Sequence, residues 1–165
     1  MVHVGIGYDV HALVTGRKLV LGGVEIAHDK GLDGHSDADV LMHAICDALL
    51  GALGEPDIGH FFPNTDPRWR GVPSRTFLLE AARLIRSRGG KIVNIDSTLI
   101  AQAPKVLPFV AGMKQNIAEA LGVTARQVGI KATTNEHLGF IGREEGMAAM
   151  AVASVELPAQ EGQES

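Results

Sequence analysis

The chain opens with a strand that can bind a metal on one face. Residues 2–13 read as a single β-strand, within which Asp9 and His11 stand two positions apart. Because successive side chains of a strand point to opposite faces, both of these side chains point to the same face. A carboxylate and an imidazole placed side by side supply two ligands of a divalent metal. A hydrogen-bonded surface pair is the more common outcome of this spacing alone.

A third candidate ligand, His43, lies on the first predicted helix. Residues 36–39 are typical of a helix start with Ser36 as the N-cap, and a mostly apolar helix then extends to about residue 53. His43 has Asp39 one turn before it and Asp47 one turn after it, so either carboxylate can hold its second ring nitrogen. Asp9, His11 and His43 would leave one tetrahedral position open for substrate. The alternative is a core histidine, with Asp39 stabilising the helix dipole.

The order of elements predicts an α/β sandwich, with one mixed sheet and helices packed on one of its faces. Residues 27–34 are predicted to form a polar loop, and residues 54–73 a long irregular loop of the kind that often carries function. We expect one domain over residues 1–157 and a disordered tail at 158–165. Strands are predicted at 2–13, 18–26 (a hairpin broken at Gly22-Gly23), 91–102, 128–134 and 146–157, and helices at 36–53, 74–88 and about 108–121.

Composition excludes several classes of protein. The formal net charge is −4 over 165 residues, which argues against a nucleic-acid-binding surface because such surfaces concentrate Lys and Arg. The charge does not exclude a phosphorylated small molecule as the ligand. No apolar run approaches the length of a membrane span, and the N-terminal residues lack the pattern of a signal peptide. We therefore expect a cytoplasmic protein without membrane segments, in which the lone Cys46 is a reduced core residue.

Polar residues also mark the ends of several predicted elements. His35 precedes the first predicted helix, where it can help free backbone N–H groups to bind a phosphate, although an ordinary cap is the more common role. Acidic residues in the long loop can hold sugar hydroxyls, although turn formation is their more common role. The segment 101–107 follows a strand, and backbone groups at such strand ends can read the edge of a planar base. Glu136 can hold a hard cation between phosphates and Arg143 can meet anionic oxygens; a simple turn and a surface ion pair are the alternatives.

These motifs together resemble one family. The motifs are Gly-Tyr-Asp-Val-His, His-Ser-Asp-Ala-Asp-Val followed by His43, Asp-Ile-Gly, Phe-Pro-Asn-Thr-Asp, Ala-Gln-Ala-Pro-Lys and Lys-Ala-Thr-Thr. In this order, over residues 4–157, they closely resemble the 2-C-methyl-D-erythritol 2,4-cyclodiphosphate synthases of the non-mevalonate isoprenoid pathway. The resemblance implies a lyase that converts 4-diphosphocytidyl-2-C-methyl-D-erythritol 2-phosphate into the cyclic diphosphate and releases CMP.

The resemblance also implies roles for individual residues. Zn²⁺ or another divalent metal would bind Asp9, His11 and His43, and Mg²⁺ or Mn²⁺ would bind Glu136 between two phosphates. His35 and Thr134 would stabilise the transition state. Residues 57–59 and 62–66 would hold the ribose and the methylerythritol phosphate, 101–107 the cytosine, and 133–136 the diphosphate. The implied substrate-binding residues are Asp9, Val10, His11, His35, Ser36, Asp57, Ile58, Gly59, Phe62, Pro63, Asn64, Thr65, Asp66, Ala101, Gln102, Ala103, Pro104, Lys105, Val106, Leu107, Thr133, Thr134, Asn135, Glu136, Phe140 and Arg143.

The resemblance further implies a homotrimer, with the sheets around a central channel and the active sites at subunit interfaces. It leaves open whether a prenyl diphosphate binds in that channel. Asn64 stands where the family usually has Asp, and Asn135 where Thr is common, so a role that needs a carboxylate at residue 64 is in doubt. Two other functions remain as alternatives: a metal-dependent phosphohydrolase with water at the open metal position, and a non-catalytic sensor of metal and nucleotide.

Overall fold

The computed structural model describes residues 1–159. Of the predicted disordered tail, residues 160–165 lie outside the described residues, and Pro158 and Ala159 have no regular secondary structure. The regular elements between Val2 and Glu156 follow one another along the chain. They are β1 (Val2–Thr15), β2 (Leu19–Leu21), β3 (Val24–Ile26), β4 (Lys30–Leu32), α1 (Val40–Ala52), α2 (Ile58–Phe61), α3 (Arg75–Ser87), β5 (Lys91–Ile100), α4 (Val110–Leu121), β6 (Val128–Thr133), α5 (Gly139–Gly142) and β7 (Gly146–Glu156).

A mixed five-stranded sheet forms the centre of the fold, in the order β4-β1-β7-β5-β6. β1 runs antiparallel to β7 and pairs Asp9 with Ala149 and His11 with Met147. β5 is antiparallel to β7 and parallel to β6. The strands β2 and β3 form a separate hairpin that turns at Gly22-Gly23, as predicted. The prediction of a mixed α/β fold is confirmed.

The side chains of β1 alternate between an exposed and a buried face of this sheet. The side chains of Val4, Ile6, Tyr8 and Val10 are exposed on one face, whereas Leu13 on the other face is buried. α1 packs on the buried face, against β1 and β7, and this is the face to which Asp9 and His11 point. At Gly5 and Gly7 the helix backbone lies so close to the strand that a Cβ atom on either glycine would overlap α1. The candidate metal ligands therefore lie in the seam between strand and helix.

The start of α1 differs from the prediction. Its N-cap is Asp39 rather than Ser36, and the Asp39 carboxylate accepts hydrogen bonds from the Met42 amide at 3.1 Å. The same carboxylate accepts from Gly22 at 3.0 Å and Gly23 at 2.7 Å. Asp39 caps the helix because three amides, two of them distant in sequence, donate to its buried carboxylate. Burial raises the pKa of Asp39 to about 6.

Two of the predicted loops contain regular structure. β4 lies within the predicted polar loop and pairs with the end of β1, Leu13 facing Leu32. The long loop 54–73 contains α2 and a 3₁₀ turn at Pro67–Trp69. The other predicted boundaries differ from the observed ones by a few residues at most, since helix and strand ends fray.

Two predictions from composition can be compared with the structure. Cys46 is buried and forms no disulfide, and burial raises the pKa of its thiol, in agreement with a reduced core residue. Across the described part of the chain, the helices are all too short or too polar to cross a membrane.

Candidate metal and substrate site

Asp9, His11 and His43 converge at the seam between β1 and α1. The Asp9 Oδ2 atom lies 2.9 Å from His11 Nε2 and 3.0 Å from His43 Nδ1. The two ring nitrogens are 3.2 Å apart. The three ligand atoms thus fall within 4.8 Å of one another, close enough to hold one metal ion. The sequence prediction that these three residues come together is confirmed.

The donor set of this cluster fits a divalent transition metal. His11 Nδ1 lies 2.7 Å from the carbonyl oxygen of Asp33, and a carbonyl only accepts, so Nδ1 carries the proton. The lone pair of His11 Nε2 then faces the cluster, as in many histidine–metal sites where the other ring nitrogen is held by a carbonyl. One carboxylate and two imidazoles leave a fourth position open, and they suit Zn²⁺ among several metals.

The charges in the cluster favour each other. Burial would raise the pKa of Asp9, but the hydrogen bonds and positive charge of His11 and His43 outweigh it and hold the pKa at about 2. Burial would likewise lower the pKa of His11, but the Asp9 carboxylate and the Asp33 carbonyl raise it above the ordinary 6.5. Without a metal, the Asp9 carboxylate thus favours protonation of His11 at the point where a cation can bind.

The neighbours of His43 differ from those predicted. Asp39 is occupied by backbone donors at the start of α1, and Asp47 Oδ1 accepts a hydrogen bond from the Ile58 amide at 2.8 Å. Neither carboxylate therefore holds the second ring nitrogen. His43 Nε2 instead lies 2.8 Å from Ser74 Oγ and 3.2 Å from Ser36 Oγ. Asp39 and Asp47 do lie one helical turn on either side of His43, but their carboxylates accept hydrogen bonds from backbone amides instead.

A cavity of about 340 Å³ opens beside the cluster. Several predicted site residues line it, including Ile58 and Gly59 of α2 and Phe62 and Asn64 just after it. Three lining residues were missed: Gly34, Trp69 and Phe77. The aromatic residues of the long loop were the available signal, because the Phe62 ring packs 4.5 Å from Phe77 and 4.9 Å from Trp69, centroid to centroid. The cavity is lined by Asp9, His11, Gly34, His35, Ser36, His43, Ile58, Gly59, Phe62, Asn64, Trp69 and Phe77.

His35 was predicted to lie at the start of the first helix, but α1 begins only at Val40. It borders the cavity instead, and its Nε2 atom donates to the Asp66 carbonyl oxygen at 3.3 Å. Asp57 Oδ1 caps α2 by accepting from the His60 amide at 3.2 Å. The Asp66 carboxylate caps the next turn and pairs with Arg68. Both aspartates thus have the turn-forming role that was the alternative for them.

A second cavity of about 220 Å³ lies where β5 and β6 end side by side. Most of the segment 101–107 and the end of β6 line it, which agrees with the expectation of a pocket at these strand ends. Beside it, Gln102 Oε1 accepts from the His137 amide at 3.1 Å, and the Thr134 hydroxyl donates to Glu136 Oε1 at 3.0 Å. Its lining residues are Ala101, Gln102, Pro104, Lys105, Val106, Leu107, Ala132, Thr133 and Thr134.

The two cavities stand apart within one chain. β6 is three strands from β1 in the sheet, which corresponds to roughly 14 Å at the usual strand spacing. Glu136 does not join the Asp9 cluster. Phe140 and Arg143 lie in and after α5, where the Arg143 guanidinium pairs with Glu145 at 2.9 Å. The chain by itself thus forms two separate sets of predicted site residues.

Comparison with known proteins identifies the family. The model of the YgbB family matches residues 2–156. The chain belongs to the YgbB family. The synthase from Syntrophotalea carbinolica, a 2-C-methyl-D-erythritol 2,4-cyclodiphosphate synthase, is 57% identical over 152 residues, which cover 92% of this chain and 93% of the relative. The synthase of the same name from Alkaliphilus metalliredigens is 58% identical over 152 residues, covering 92% and 96%.

Solved structures of YgbB-like synthases share the fold. A 2C-methyl-D-erythritol-2,4-cyclodiphosphate synthase in a CDP-bound form superposes with a TM-score of 0.85 at 38% identity, covering 93% of this chain and 99% of the other. A Plasmodium falciparum IspF in complex with CDP gives a TM-score of 0.84 at 34% identity, covering 96% and 97%. The family resemblance seen in the motifs is confirmed, and with it an enzyme of the cyclodiphosphate synthase type.

Proposed function

We propose that the chain converts 4-diphosphocytidyl-2-C-methyl-D-erythritol 2-phosphate into 2-C-methyl-D-erythritol 2,4-cyclodiphosphate and CMP. The observation that carries this proposal is the cluster of Asp9, His11 and His43 beside a cavity, in a YgbB-family chain. An oxygen of the 2-phosphate attacks the β-phosphorus, a new P–O–P bond closes the ring, and the bond to CMP breaks. The phosphohydrolase alternative is not favoured, because the curated relatives are cyclodiphosphate synthases.

In this proposal Asp9, His11 and His43 hold Zn²⁺ or another divalent metal. When bound, the metal neutralises phosphate oxygens and polarises the attacked phosphoryl group. The chain itself needs no nucleophile and no general base, because the attacking phosphate oxygen is already ionised near neutral pH. Its task is to bring two anionic groups together and to exclude water. The aromatic wall formed by Phe62, Trp69 and Phe77 supports water exclusion on one side of the cavity.

The two cavities divide the substrate in this proposal. Residues 57–59 and 62–66, beside the metal cluster, hold the ribose and the methylerythritol phosphate, and 101–107 hold the cytosine. Thr133 to Glu136 bind the diphosphate, with Mg²⁺ or Mn²⁺ on Glu136. His35 and Thr134 stabilise developing charge on the phosphates, and Phe140 and Arg143 lie near the substrate or the channel. The location of His35 on the cavity rim and the hydroxyl of Thr134 beside Glu136 support these assignments.

A homotrimer joins the two halves of the site in this proposal. The second cavity of one subunit would complete the metal cavity of its neighbour, since the two are separate within one chain. The open face of the sheet supports association, because apolar side chains there remain exposed over 42–68% of their surface. Among the described residues these are Val2, Val4, Ile6, Tyr8, Val10, Met150 and Val152. Sheets packed in this way would enclose a central channel, where a prenyl diphosphate is the proposed ligand. The catalytic domain is residues 1–157.

Phosphorus NMR of the reaction tests this function. Metal-loaded protein and substrate should give the cyclic diphosphate and CMP, whereas a hydrolase would give a linear phosphate and a sensor would give no product. His43→Ala should abolish turnover while the fold persists by circular dichroism. The matched control is His3→Ala, which removes an exposed histidine of β1 outside the metal cluster. CMP release near the wild-type rate from metal-stripped His43→Ala would overturn the metal role.

A further inference from the structure

We propose that Ser74 is a positioning residue for the metal ligand His43. Together with Asp37, it fixes the imidazole ring so that Nδ1 presents its lone pair to the metal. This inference rests on the proposed metal binding by Asp9, His11 and His43. It concerns a group outside that set, at the start of α3, whose sequence pattern indicates only a helix cap.

Ser74 occupies the N-cap position of α3 but does not use its side chain there. Cap serines normally accept a hydrogen bond from an amide of the first helical turn. Among the described residues, the Ser74 side chain forms no such cap bond, and its backbone is helical rather than extended. Ser74 is fully buried. Its hydroxyl lies between His43 Nε2, at 2.8 Å, and the carboxylate of Asp37. The hydroxyl is thus diverted from the helix to the metal ligand.

The hydrogen bonds of Ser74 determine the direction of the chain of donors. An ionised carboxylate only accepts, and Asp37 Oδ2 also accepts from the Ser74 amide at 3.1 Å. The single hydroxyl proton of Ser74 is therefore donated to Asp37 Oδ1. The Ser74 oxygen must then accept from His43, so Nε2 of that ring carries a proton. Nδ1 is left as the ligand atom, and it is the atom that lies 3.0 Å from Asp9 Oδ2.

Ser36 has a weaker claim to the same role. Its hydroxyl oxygen lies 3.2 Å from His43 Nε2 and accepts from the Ala38 amide at 3.1 Å. It has no hydrogen bond to a carboxylate in the described residues, so nothing polarises it towards the ring. A serine that donates to a carboxylate is the better acceptor, because hydrogen bonds in a chain strengthen one another. Ser74 and Asp37 are therefore the pair that holds His43.

Loss of the Ser74 hydroxyl should weaken metal binding without removing a ligand. The buried Nε2–H of His43 would lose its near acceptor, and the ring could turn or place its proton on Nδ1. Groups that hold a ligating histidine in this way typically change metal affinity by about 10- to 100-fold. We expect Ser74→Ala to bind Zn²⁺ at least about tenfold more weakly than wild type, and Asp37→Asn to be affected in the same direction.

Chelator competition with Zn²⁺ measures this effect without turnover. The matched control is Ser87→Ala, which removes an exposed hydroxyl from the other end of α3, where Ser87 donates to the Leu84 carbonyl. The control should bind Zn²⁺ as wild type does. Folded Ser74→Ala that binds Zn²⁺ within twofold of wild type overturns the inference but leaves the proposed function standing. Wild-type protein that fails to bind Zn²⁺ overturns the metal site itself, and this inference with it.

Nitrogen-15 NMR of histidine-labelled wild type gives an answer that needs no variant. Zinc-loaded protein should show a protonated Nε2 and a metal-bound Nδ1 on His43. A protonated Nδ1, or zinc on Nε2, contradicts the inference even if Ser74→Ala does not fold. The expected spectrum together with a weakened Ser74→Ala variant would support it.

Discussion

Gly7 and Ala44 are in backbone contact: a Cβ atom added to Gly7 would lie 1.9 Å from the carbonyl oxygen of Ala44. Gly7 precedes Asp9 by two residues on the same face of β1, and Ala44 follows His43 on α1. The close approach of strand and helix therefore sets the 3.0 Å separation of Asp9 Oδ2 from His43 Nδ1. Gly7 binds no metal itself, but it sets how closely the strand and the helix that carry the ligands approach each other.

Replacing that glycine should damage both fold and metal site. Gly7→Ala forces α1 away from β1, and we expect it to lower the free energy of unfolding by about 1–3 kcal/mol, as overpacking does, and to weaken Zn²⁺ binding. Urea unfolding and chelator competition measure the two effects. The control is Gly112→Ala, since a Cβ there would meet only Val24 Cγ2 at an ordinary 3.5 Å. Wild-type stability in Gly7→Ala would show that the helix can shift freely.

The Asp9–His11 pair should give the metal-free protein a pH-dependent stability. The pKa of Asp9 is lowered from 3.8 to about 2, so its contribution is present above pH 3.8 and is lost as the pH falls through 2. The pKa of His11 is raised above 6.5, so its contribution is complete below pH 6.5 and is lost as the pH rises through the raised value.

The two contributions overlap between about pH 4 and 6.5, the range set by the ordinary pKa values of the two groups. Urea unfolding of metal-free wild type and His11→Ala should therefore differ most inside this window, by about 1–2 kcal/mol, and less on either side. A difference that stays constant from pH 3 to 9 would mean that the pair is not coupled to folding.

Asp47 should affect substrate binding through α2. Its carboxylate accepts from the Ile58 amide at 2.8 Å, and Ile58 and Gly59 line the metal cavity. Asp47→Ala leaves the start of α2 unanchored, so we expect KM to rise about tenfold, the loss of one hydrogen bond to a charged group, with a smaller change in kcat. Asp47→Asn keeps an acceptor oxygen and should be affected less. Equal KM values in all three proteins would remove Asp47 from the site.

The exposed face of the sheet should decide the oligomeric state. Ile6 and Val152 face each other across β1 and β7 and are 68% and 43% exposed. A charge at this point would be costly to bury, so Ile6→Asp should convert the proposed trimer into monomers in light scattering. Leu79→Asp, on the exposed side of α3, is the control and should leave the trimer intact. A monomeric wild type would refute the proposed assembly outright.

The sequence could predict what depends on local periodicity. Two-residue alternation placed Asp9 and His11 on one face, whereas it was the family resemblance, and not the helix pattern, that brought His43 to them. The motif order predicted the family, which the comparisons confirm. What it could not predict depends on contacts between distant segments. Asp39 is the cap instead of Ser36 because the amides of Gly22 and Gly23, in the β2–β3 hairpin, donate to its carboxylate.

The role of Ser74 was hidden for the same reason. A serine before an amphipathic helix indicates a cap, and only the fold shows that its hydroxyl lies against His43, 31 residues away in sequence. Likewise, no local pattern could show that the predicted site residues form two cavities three strands apart, because strand order is a property of the whole sheet.

The alternation of β1 ties two requirements to one length of chain. Asp9 and His11 point to the helix, while Tyr8 and Val10 point the other way. Because the side-chain period is two, slipping this strand by a single residue would exchange the two faces. Apolar side chains would then point into the metal cavity, and the charged side chains of Asp9 and His11 would point to the exposed apolar face of the sheet. We therefore expect an insertion or deletion between Val4 and His11 to damage both faces at once, whereas a substitution of Ile6 or of His11 damages only the face on which that residue lies.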